Sequence, residues 1–274
     1  MKIVISGLMF ALIFLLAGCS DDSDNSTGSG IHYNPEVVIA DHDAVLDYAS
    51  IPSAFIDSVK NKYNIFYGHT SHGSQVVTGM SMVRSENMAL DYNNGEGTLS
   101  LSEYSDDLGH QGDTSWVPIT RARLNQTGSE TNVVIWSWCG GASDNTVEGI
   151  NTYLNAMNGL ELDYPNVIFV YMTGHLDGTG VDGNLYACNN QIRQYCSANN
   201  KILFDFADIE SYDPSGNYYP DDTDACLWCS DWCDSHDCPD CGSCAHSHCF
   251  NCYLKGRAFW WMMARLAGWN GDDN

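Results

Sequence analysis

The sequence predicts an α/β fold in which a mainly parallel β-sheet lies between two layers of helices, a three-layer α/β/α arrangement. Residues 132–138, 166–172 and 201–206 are apolar on both faces, which is typical of buried parallel strands. The segments between them, residues 146–158 and 184–198, carry apolar side chains at helical spacing. This alternation predicts parallel strands joined by helices that cover both faces of the sheet.

The other predicted elements are a helix, a strand and a final helix, over residues 52–62, 64–67 and 254–267. Pro52 suits the first turn of a helix, and Gly268 is expected to end the last one. Residues 260–263 (WWMM) are expected to form a buried face of the final helix. Residues 85–130 are polar and give few clear elements.

The N-terminus predicts export and lipid attachment. Lys2 precedes an apolar run, residues 3–17, that has the length of a signal-peptide core and is short for a membrane span. The run ends Leu-Ala-Gly-Cys, which resembles the cleavage site of bacterial lipoproteins. Residues 1–18 are therefore interpreted as a signal peptide and Cys19 as the lipid-carrying first residue of the mature protein. The alternative is an ordinary signal peptide that happens to contain a cysteine.

The remaining chain divides into a tether and one folded domain. Residues 19–30 lack apolar side chains beyond the cysteine and are predicted to be a flexible tether. Residues 31–270 fit a single domain with a Cys-rich insertion at residues 226–252. Ser20, directly after the cysteine, favours the outer membrane. The expected location is the bacterial cell envelope, with the membrane as a partner through the lipid anchor.

The chain is strongly acidic, with 35 acidic and 11 basic residues and a net charge of −24. Nucleic-acid binding is excluded because it requires clusters of Lys and Arg against the phosphates. The acidity suits either solubility alone or the binding of divalent cations.

The chain has 12 cysteines, and eleven remain without Cys19. An exported protein meets an oxidising compartment, so disulfides are the default state. Eight cysteines lie in the insertion, and the pattern allows many pairings. The odd number leaves one thiol unpaired, and Cys139, which ends an apolar run, is the candidate.

No cofactor is expected, and two metals remain alternatives. The CxxC spacings with the interleaved His236, His246 and His248 also suit zinc. Acidic residues of the loop at 213–224 could supply oxygens to calcium, although a solvated acidic loop explains them as well. No CxxCH sequence occurs, so c-type haem is not expected.

Polar, Gly-rich segments follow the predicted strands, and ligands bind at this edge of parallel sheets. The segments are GHTSHG, CGG, TGH and AD. Ser71, in a Gly-flanked turn after a strand, is placed as a nucleophile would be, with Ser74 and Thr70 behind it. A serine needs a histidine base, and His246 or His248 could supply it. Closer rivals are His69, His72 and His175.

The order of these elements resembles the SGNH (GDSL-like) hydrolases. The resemblance covers about residues 60–270 and is carried by the segments IFYGHTSHG, IWSWCGG, FVYMTGH, NNKILFDFADIESYDP and HSHCFNCYLKGRAFWWMMARLAGW. It implies a flavodoxin-like, SGNH-type α/β/α fold and carboxylic ester hydrolysis by a Ser-His acyl-enzyme mechanism.

Carried over to this chain, the resemblance makes Ser71 the nucleophile, His246 the base and His248 the alternative base. The family's acid lies three residues before the base, where this chain has Ser243, so Asp240 is the nearest acid. The GDS sequence and the oxyanion Asn are also missing. The residues expected to line the oxyanion site or cleft are Gly73, Cys139, Gly140 and His175, and the family's oxyanion Gly corresponds to Gly109 or Gly112.

The leading hypothesis is therefore a surface-anchored serine esterase whose substrate is either a polysaccharide that carries acetyl esters or a small ester. Two alternatives remain open. One is a catalytically inactive relative that binds glycans, and the other is a metal-binding protein that uses its Cys and His residues.

Overall fold

The computed structural model describes residues 37–240 and 242–271. The predicted signal peptide (residues 1–18), the tether (residues 19–30) and the lipid-carrying Cys19 lie outside the described residues. Within the described part of the chain, no helix combines the length and the apolar character that crossing a membrane requires.

Six strands form one sheet in the described residues, and every pair of neighbours is parallel. They are β1 (Val38–Ala40), β2 (Asn64–His69), β3 (Ser100–Ser105), β4 (Val133–Trp136), β5 (Ile168–Met172) and β6 (Ile202–Phe204). Their order across the sheet is β1-β6-β5-β4-β2-β3. In the centre, Tyr67 pairs with Ile135, which pairs with Val170. The predicted α/β class with a parallel sheet is confirmed.

The two edge strands, β1 and β3, are not predicted by the sequence pattern. β1 has only three residues, and β3 has the sequence SLSEYS, in which Leu101 alone is buried. β3 has one neighbour and keeps polar side chains in solvent, so it lacks the apolar run by which a central strand is recognised. β1 is apolar, but its three residues are too few to give a strand signal.

Helices cover both faces of the sheet. They are α1 (His42–Asp47), α2 (Ser53–Lys62), α3 (Ser74–Glu86), α4 (Trp116–Asn125), α5 (Val147–Asp163), α6 (Asn184–Ala198), α7 (Phe206–Ser211), α8 (Leu227–Ser235) and α9 (Cys249–Leu266), with short 3-10 helices at Tyr48–Ser50 and Met88–Leu90. α1, α2, α3 and α9 contribute to one apolar cluster, and α4, α5 and α6 to another. The segment at 85–130, which gives few elements by pattern, therefore holds a strand and a helix.

Alternation along the central strands divides the core into these two clusters. Ile65 and Tyr67 of β2 point into the first, whereas Phe66 points into the second. Val133 and Val134 of β4 divide in the same way. Successive strand side chains point to opposite faces, so a sheet whose strands are apolar throughout must be covered on both sides. The three-layer arrangement is confirmed.

Helix α9 is the most buried helix of the first layer and begins at Cys249, five residues before the predicted start. Trp260, Met262 and Met263 are completely buried, which confirms the predicted buried face. Lys255 on the same helix is also completely buried, and the apolar pattern gave no sign of it.

α3 and α9 approach each other so closely that only glycine fits at their crossing. A Cβ placed on Gly79 would lie 1.8 Å from the carbonyl oxygen of Cys252, and one on Gly256 would lie 2.2 Å from the carbonyl carbon of Gly79. Both contacts are with backbone atoms, which cannot move aside without separating the helices.

We expect Gly256→Ala to lower the free energy of unfolding by about 1–3 kcal/mol or more, because it overpacks this crossing. The matched control is Gly159→Ala in α5, where an added Cβ meets no atom within 4 Å. That change should be neutral or stabilising by up to about 1 kcal/mol, since alanine is the better helix former. Urea unfolding of both variants measures the difference, and equal stabilities would contradict the close crossing.

The Cys-rich segment before α9 is cross-linked, as predicted. Disulfides join Cys226 to Cys229, Cys233 to Cys238 and Cys244 to Cys252, and Cys249 is also disulfide-bonded. The sulfur atoms of a disulfide are not thiolates, so in this oxidised form these cysteines do not supply the zinc ligands that their spacing also suits. The segment holds the short helix α8 and leads directly into α9.

Three cysteines among the described residues are free thiols: Cys139, Cys188 and Cys196. Cys139 is unpaired as predicted, but the expectation of a single unpaired thiol is wrong, because Cys188 and Cys196 are free as well. The other two are buried in α6, where burial raises their thiol pKa values and keeps them protonated. Cys139 differs because it is partly exposed and follows strand β4.

Candidate active site

The candidate site lies at the carboxyl ends of β2, β4 and β5. The chain runs from β2 to the edge strand β3 and then returns across β2 to β4, so the strand order reverses between β2 and β4. Parallel sheets bind ligands at such a reversal, outside the carboxyl ends of the strands. His72 follows β2, Cys139 follows β4 and His175 follows β5, and the fold brings all three together.

Cys139, His72 and Asp224 form a continuous chain of polar contacts. The Sγ atom of Cys139 lies 3.2 Å from Nδ1 of His72. On the other side of the ring, Nε2 lies 2.9 Å from Oδ2 of Asp224. A carboxylate can only accept, so Nε2 carries the proton that it donates to Asp224 when the ring is neutral. Nδ1 is then left to accept the thiol proton of Cys139.

His72 is enclosed by two further histidine rings. The ring of His175 stacks on it with a centroid distance of 3.7 Å and an interplanar angle of 2°. The ring of His246 lies on its other face at 4.5 Å and 15°. Burial, followed by the proximity of His175, lowers the pKa of His72 below its usual 6.5. His72 is therefore a neutral imidazole at neutral pH, the form that acts as a base.

Ser71, the predicted nucleophile, lies beside Cys139. Its Oγ is 3.7 Å from the Sγ of Cys139, and within residues 37–240 and 242–271 this hydroxyl makes no hydrogen bond to a histidine. Ser74, the neighbouring candidate, donates its hydroxyl to the carbonyl of Ser71. Thr70 donates to Asp107. The thiol thus occupies the position next to a base that the sequence pattern gives to a serine.

The predicted base and acid take different places. His246 reaches the site, but as a ring stacked on His72. His248 caps helix α9 by accepting a hydrogen bond from the amide of Phe250 at 3.2 Å. Asp240 is exposed in the Cys-rich segment, whereas Asp224 is the carboxylate that contacts a histidine of the site. Sequence reasoning considered Asp224 only as a calcium ligand.

The glycines predicted for the cleft have distinct surroundings. An added Cβ at Gly73 would lie 2.2 Å from the hydroxyl of Ser137, so the turn after β2 has no room for a side chain. The same test at Gly140 finds no atom within 4 Å, so this position borders open space. At Gly141 a Cβ would lie 1.4 Å from the carbonyl oxygen of Gly109, which places Gly109 beside the Cys139 loop.

Backbone amides near the thiol are available to a ligand. In the described residues, the amides of Ser71, His72 and Gly73 have no backbone acceptor, whereas the next amide, of Ser74, donates to Thr70. These amides precede the 13-residue helix α3, whose N-terminus favours negative charge.

A buried ion pair lies behind the histidines. Nζ of Lys255 lies 2.8 Å from Oε1 of Glu210, and both side chains are 0% exposed. The same Nζ donates to Oε1 of Gln75 at 2.5 Å and lies 4.0 Å above the ring centre of Phe206. Burial lowers the pKa of Lys255, while Glu210 favours its charged form. Because the ion pair supplies the partner charge, the buried ammonium remains compatible with the core.

This ion pair holds two of the histidine loops. Oε2 of Glu210 accepts the amide of Leu176 at 2.6 Å, and Leu176 directly follows His175. Nε2 of Gln75 donates to the carbonyl of Ala245 at 2.6 Å, next to His246.

The loops held in this way carry the two rings that enclose His72. His246 also has a left-handed backbone, with φ of 60°, a conformation that non-glycine residues adopt only where their surroundings enforce it. The buried network around Lys255 supplies such an anchor for the preceding residue.

The site also contains a possible metal-binding set. One ligand atom each from His72, Asp224 and His246 lies within 4.8 Å of the others. Two imidazoles and a carboxylate are a ligand combination that suits zinc. The calcium alternative has less support, since Asp213 already accepts bonds from Asn217, Ser215 and Tyr219 within its own loop.

Two features were missed from the sequence alone: the contact of Asp224 with His72 and the buried Lys255. His72 itself was among the rival histidines. The thiol gave a signal, since Cys139 is the cysteine that follows a central strand. No sequence signal pointed to Asp224, because the Cys-rich insertion separates it from the late histidines along the chain.

No family model and no curated protein matches this chain. Among solved structures, it aligns with a candidate acylhydrolase from Bacteroides fragilis NCTC 9343, at a TM-score of 0.34 and 13% identity over 64% of this chain and 81% of that protein. It also aligns with C-terminally truncated TubZ of Clostridium botulinum phage c-st, at a TM-score of 0.34 and 17% identity over 57% and 56% of the two chains. These similarities are too low to carry an argument about function.

Proposed function

We propose that the protein is a thiol-dependent hydrolase of carboxylic esters, with Cys139 as the nucleophile. The observation that carries the proposal is the contact chain from Cys139 Sγ through His72 to Asp224, at 3.2 and 2.9 Å. A nucleophile within reach of a base, with the base oriented by a third group, is the arrangement that covalent catalysis requires. The proposal keeps the predicted acyl-enzyme chemistry and replaces serine by cysteine.

In the first half-reaction, Nδ1 of His72 takes the thiol proton while Sγ of Cys139 bonds to the ester carbonyl carbon. Asp224 fixes the tautomer that leaves Nδ1 free and stabilises the imidazolium that forms. The tetrahedral intermediate collapses when His72 returns the proton to the departing alcohol, which leaves a thioester. Water, activated by the same imidazole, then hydrolyses the thioester and restores the thiol.

The negative oxygen of the intermediate needs donors that are already in place. The unbonded amides of Ser71, His72 and Gly73 suit this role, because they precede a long helix and lie in the turn that approaches Cys139. Burial lowers the pKa of His72 and favours its neutral imidazole before the substrate binds, so His72 acts as a general base.

The cellular setting of this activity is part of the proposal. A lipid anchor at Cys19 would hold the enzyme at the bacterial envelope, facing polysaccharides or small esters. The net charge of −24 continues to argue against a nucleic-acid substrate. The inactive glycan-binding alternative predicts ligand binding without turnover, so hydrolysis of any short acyl ester by the purified protein would exclude it.

A metal-dependent hydrolase is the second candidate, because ligand atoms of His72, Asp224 and His246 lie within 4.8 Å of one another. A divalent ion there would polarise a substrate or activate a water molecule.

For the thiol mechanism we expect ester hydrolysis to survive dialysis against EDTA, with substoichiometric metal in the purified protein. Stoichiometric zinc, together with activity that EDTA removes and zinc restores, would favour the metal reading. Mass spectrometric metal analysis measures the amount of zinc bound per protein molecule.

A further inference from the structure

A cavity lies beside the loop that follows β5. It has a volume of about 210 Å³ and lies between the loop after β5 and helices α6 and α7. Its wall includes Leu176, the residue that directly follows His175 of the histidine stack. The loop after β5 therefore contributes both to the histidine stack and to this cavity.

Tyrosine rings form much of the cavity wall. Tyr186, Tyr212 and Tyr218 all line it. The ring of Tyr212 is fixed between His42, at a centroid distance of 3.7 Å, and Tyr218, at 4.7 Å. Tyr218 is 45% exposed, an unusual exposure for a large aromatic side chain that has no partner on its outer face among the described residues. Aromatic walls of this kind bind organic cations through the negative faces of their rings.

Two carboxylates line the cavity, and the hydrogen bonds within the described residues engage only one oxygen atom of each. Oδ1 of Asp177 accepts from the amide and hydroxyl of Thr179, and Oδ1 of Asp208 accepts from the amide and ring of His42. The Oδ2 atom of each carboxylate has no hydrogen-bond partner within the described residues. Two carboxylate oxygens thus remain as acceptors for a ligand, and Asp177 differs from Asp208 in having no histidine partner.

The positive side chain of the cavity is already neutralised. The guanidinium of Arg193 donates through Nε and Nη2 to Asp205, at 2.6 and 2.8 Å, and through Nη1 to Asn190. It therefore has little left to offer an anionic ligand.

Negative charge accumulates behind the same wall. Burial and the nearby Asp208 raise the pKa of Asp41 to about 6, because a further carboxylate is costly to ionise there. His42 responds in the opposite direction, since its hydrogen bond to Asp208 raises its pKa. The shift of His42 reports the carboxylate of Asp208, whereas burial is the main cause of the shift of Asp41.

We infer that this cavity binds an organic cation, a substituted ammonium group, and that it supplies the recognition site for the substrate's alcohol or acyl part. The inference about binding stands on the cavity alone, whereas its link to the substrate rests on the proposed function. A neutral sugar ring is the competing occupant, because tyrosines and carboxylates also bind sugars. The charge of Asp177, which makes no ion pair within the described residues, favours the cation.

The test compares two ligands of the same shape. Choline carries a trimethylammonium group, and 3,3-dimethylbutan-1-ol has a neutral carbon in place of the nitrogen. By calorimetry or NMR titration we expect choline to bind at least about tenfold more tightly, the scale of one desolvated cation–π contact with an added charge. Asp177→Asn should weaken choline binding, and the exposed, distant Glu96→Gln, which changes the net charge equally, should not.

Equal affinity for choline and its neutral isostere would overturn the inference, and so would binding of neutral oligosaccharides without binding of choline. Turnover is measured separately as kcat/KM for acetylcholine and for 3,3-dimethylbutyl acetate. If choline binds selectively but neither ester is hydrolysed, these ester substrates give no support to the proposed hydrolase while the cation site stands. If both esters are hydrolysed at equal rates and choline does not bind, the cation site fails while the hydrolase stands.

Discussion

Replacing Cys139 by alanine is expected to lower kcat/KM for a short acyl ester by about 10³-fold or more, the scale on which nucleophile removal acts in such mechanisms. The loss is large because the thiol forms the covalent bond to the substrate. His72 and the backbone amides cannot substitute for that bond. A p-nitrophenyl acetate assay on the purified wild type and variant measures the ratio.

Ser71→Ala is the decisive comparison, because Ser71 Oγ lies only 3.7 Å from the thiol and the change removes its hydroxyl while it keeps the amide. A loss of about 10³-fold in Ser71→Ala, with activity retained in Cys139→Ala, would return the nucleophile to the serine. Cys188→Ala controls for the loss of a thiol elsewhere, since Cys188 is buried in α6. Iodoacetamide should label Cys139 in the wild type and abolish activity together with the labelling.

The fold was largely readable from the sequence because its central strands are buried on both faces. Residues 132–138, 166–172 and 201–206 cannot be amphipathic when helices cover both sides of the sheet, and a continuous apolar run is the consequence. The edge strand β3 has no such requirement and its sequence gives no strand signal. A continuous apolar run therefore indicates a strand that is buried on both faces. The absence of such a run does not exclude a strand.

The site was only partly readable, and the reason is geometric. The polar loops after β2, β4 and β5 were identified correctly as a group because parallel strands end at one edge of the sheet. Which side chains of those loops meet depends on rotations that no spacing rule fixes. His72 was a rival to the late histidines, and only the folded chain shows its ring between Cys139 and Asp224.

The Cys-rich insertion explains why no sequence signal pointed to the contact between Asp224 and His72. Asp224 lies just before the first cysteine of the insertion, and His246 lies near its end. The chain between them folds into a disulfide-linked excursion, after which the amide of His248 donates to the carbonyl of Ala225 at 3.1 Å. Residues that are more than twenty positions apart thereby become neighbours. Asp240, the nearest acid along the chain, lies on the exposed part of that excursion.

Breaking the buried ion pair is expected to have the largest effect on stability. Lys255→Met should lower the free energy of unfolding by about 3–5 kcal/mol, because it leaves the charge of Glu210 buried without its partner. Urea unfolding followed by circular dichroism measures this loss. The pair of Lys60 with the exposed Asp57 is the control, and Asp57→Asn should cost no more than about 1 kcal/mol.

The double variant Lys255→Met with Glu210→Gln tests whether the loss of stability in Lys255→Met comes from the unpaired charge of Glu210. It removes both charges and keeps an acceptor for the amide of Leu176, so we expect it to be more stable than Lys255→Met alone. If the double variant is no more stable than Lys255→Met, the coupling of the pair is contradicted. Stability can recover in this way without full activity, because the bond between Lys255 and Gln75 is lost as well. Gln75 holds Ala245 beside His246, so kcat should stay reduced at temperatures where the double variant is fully folded.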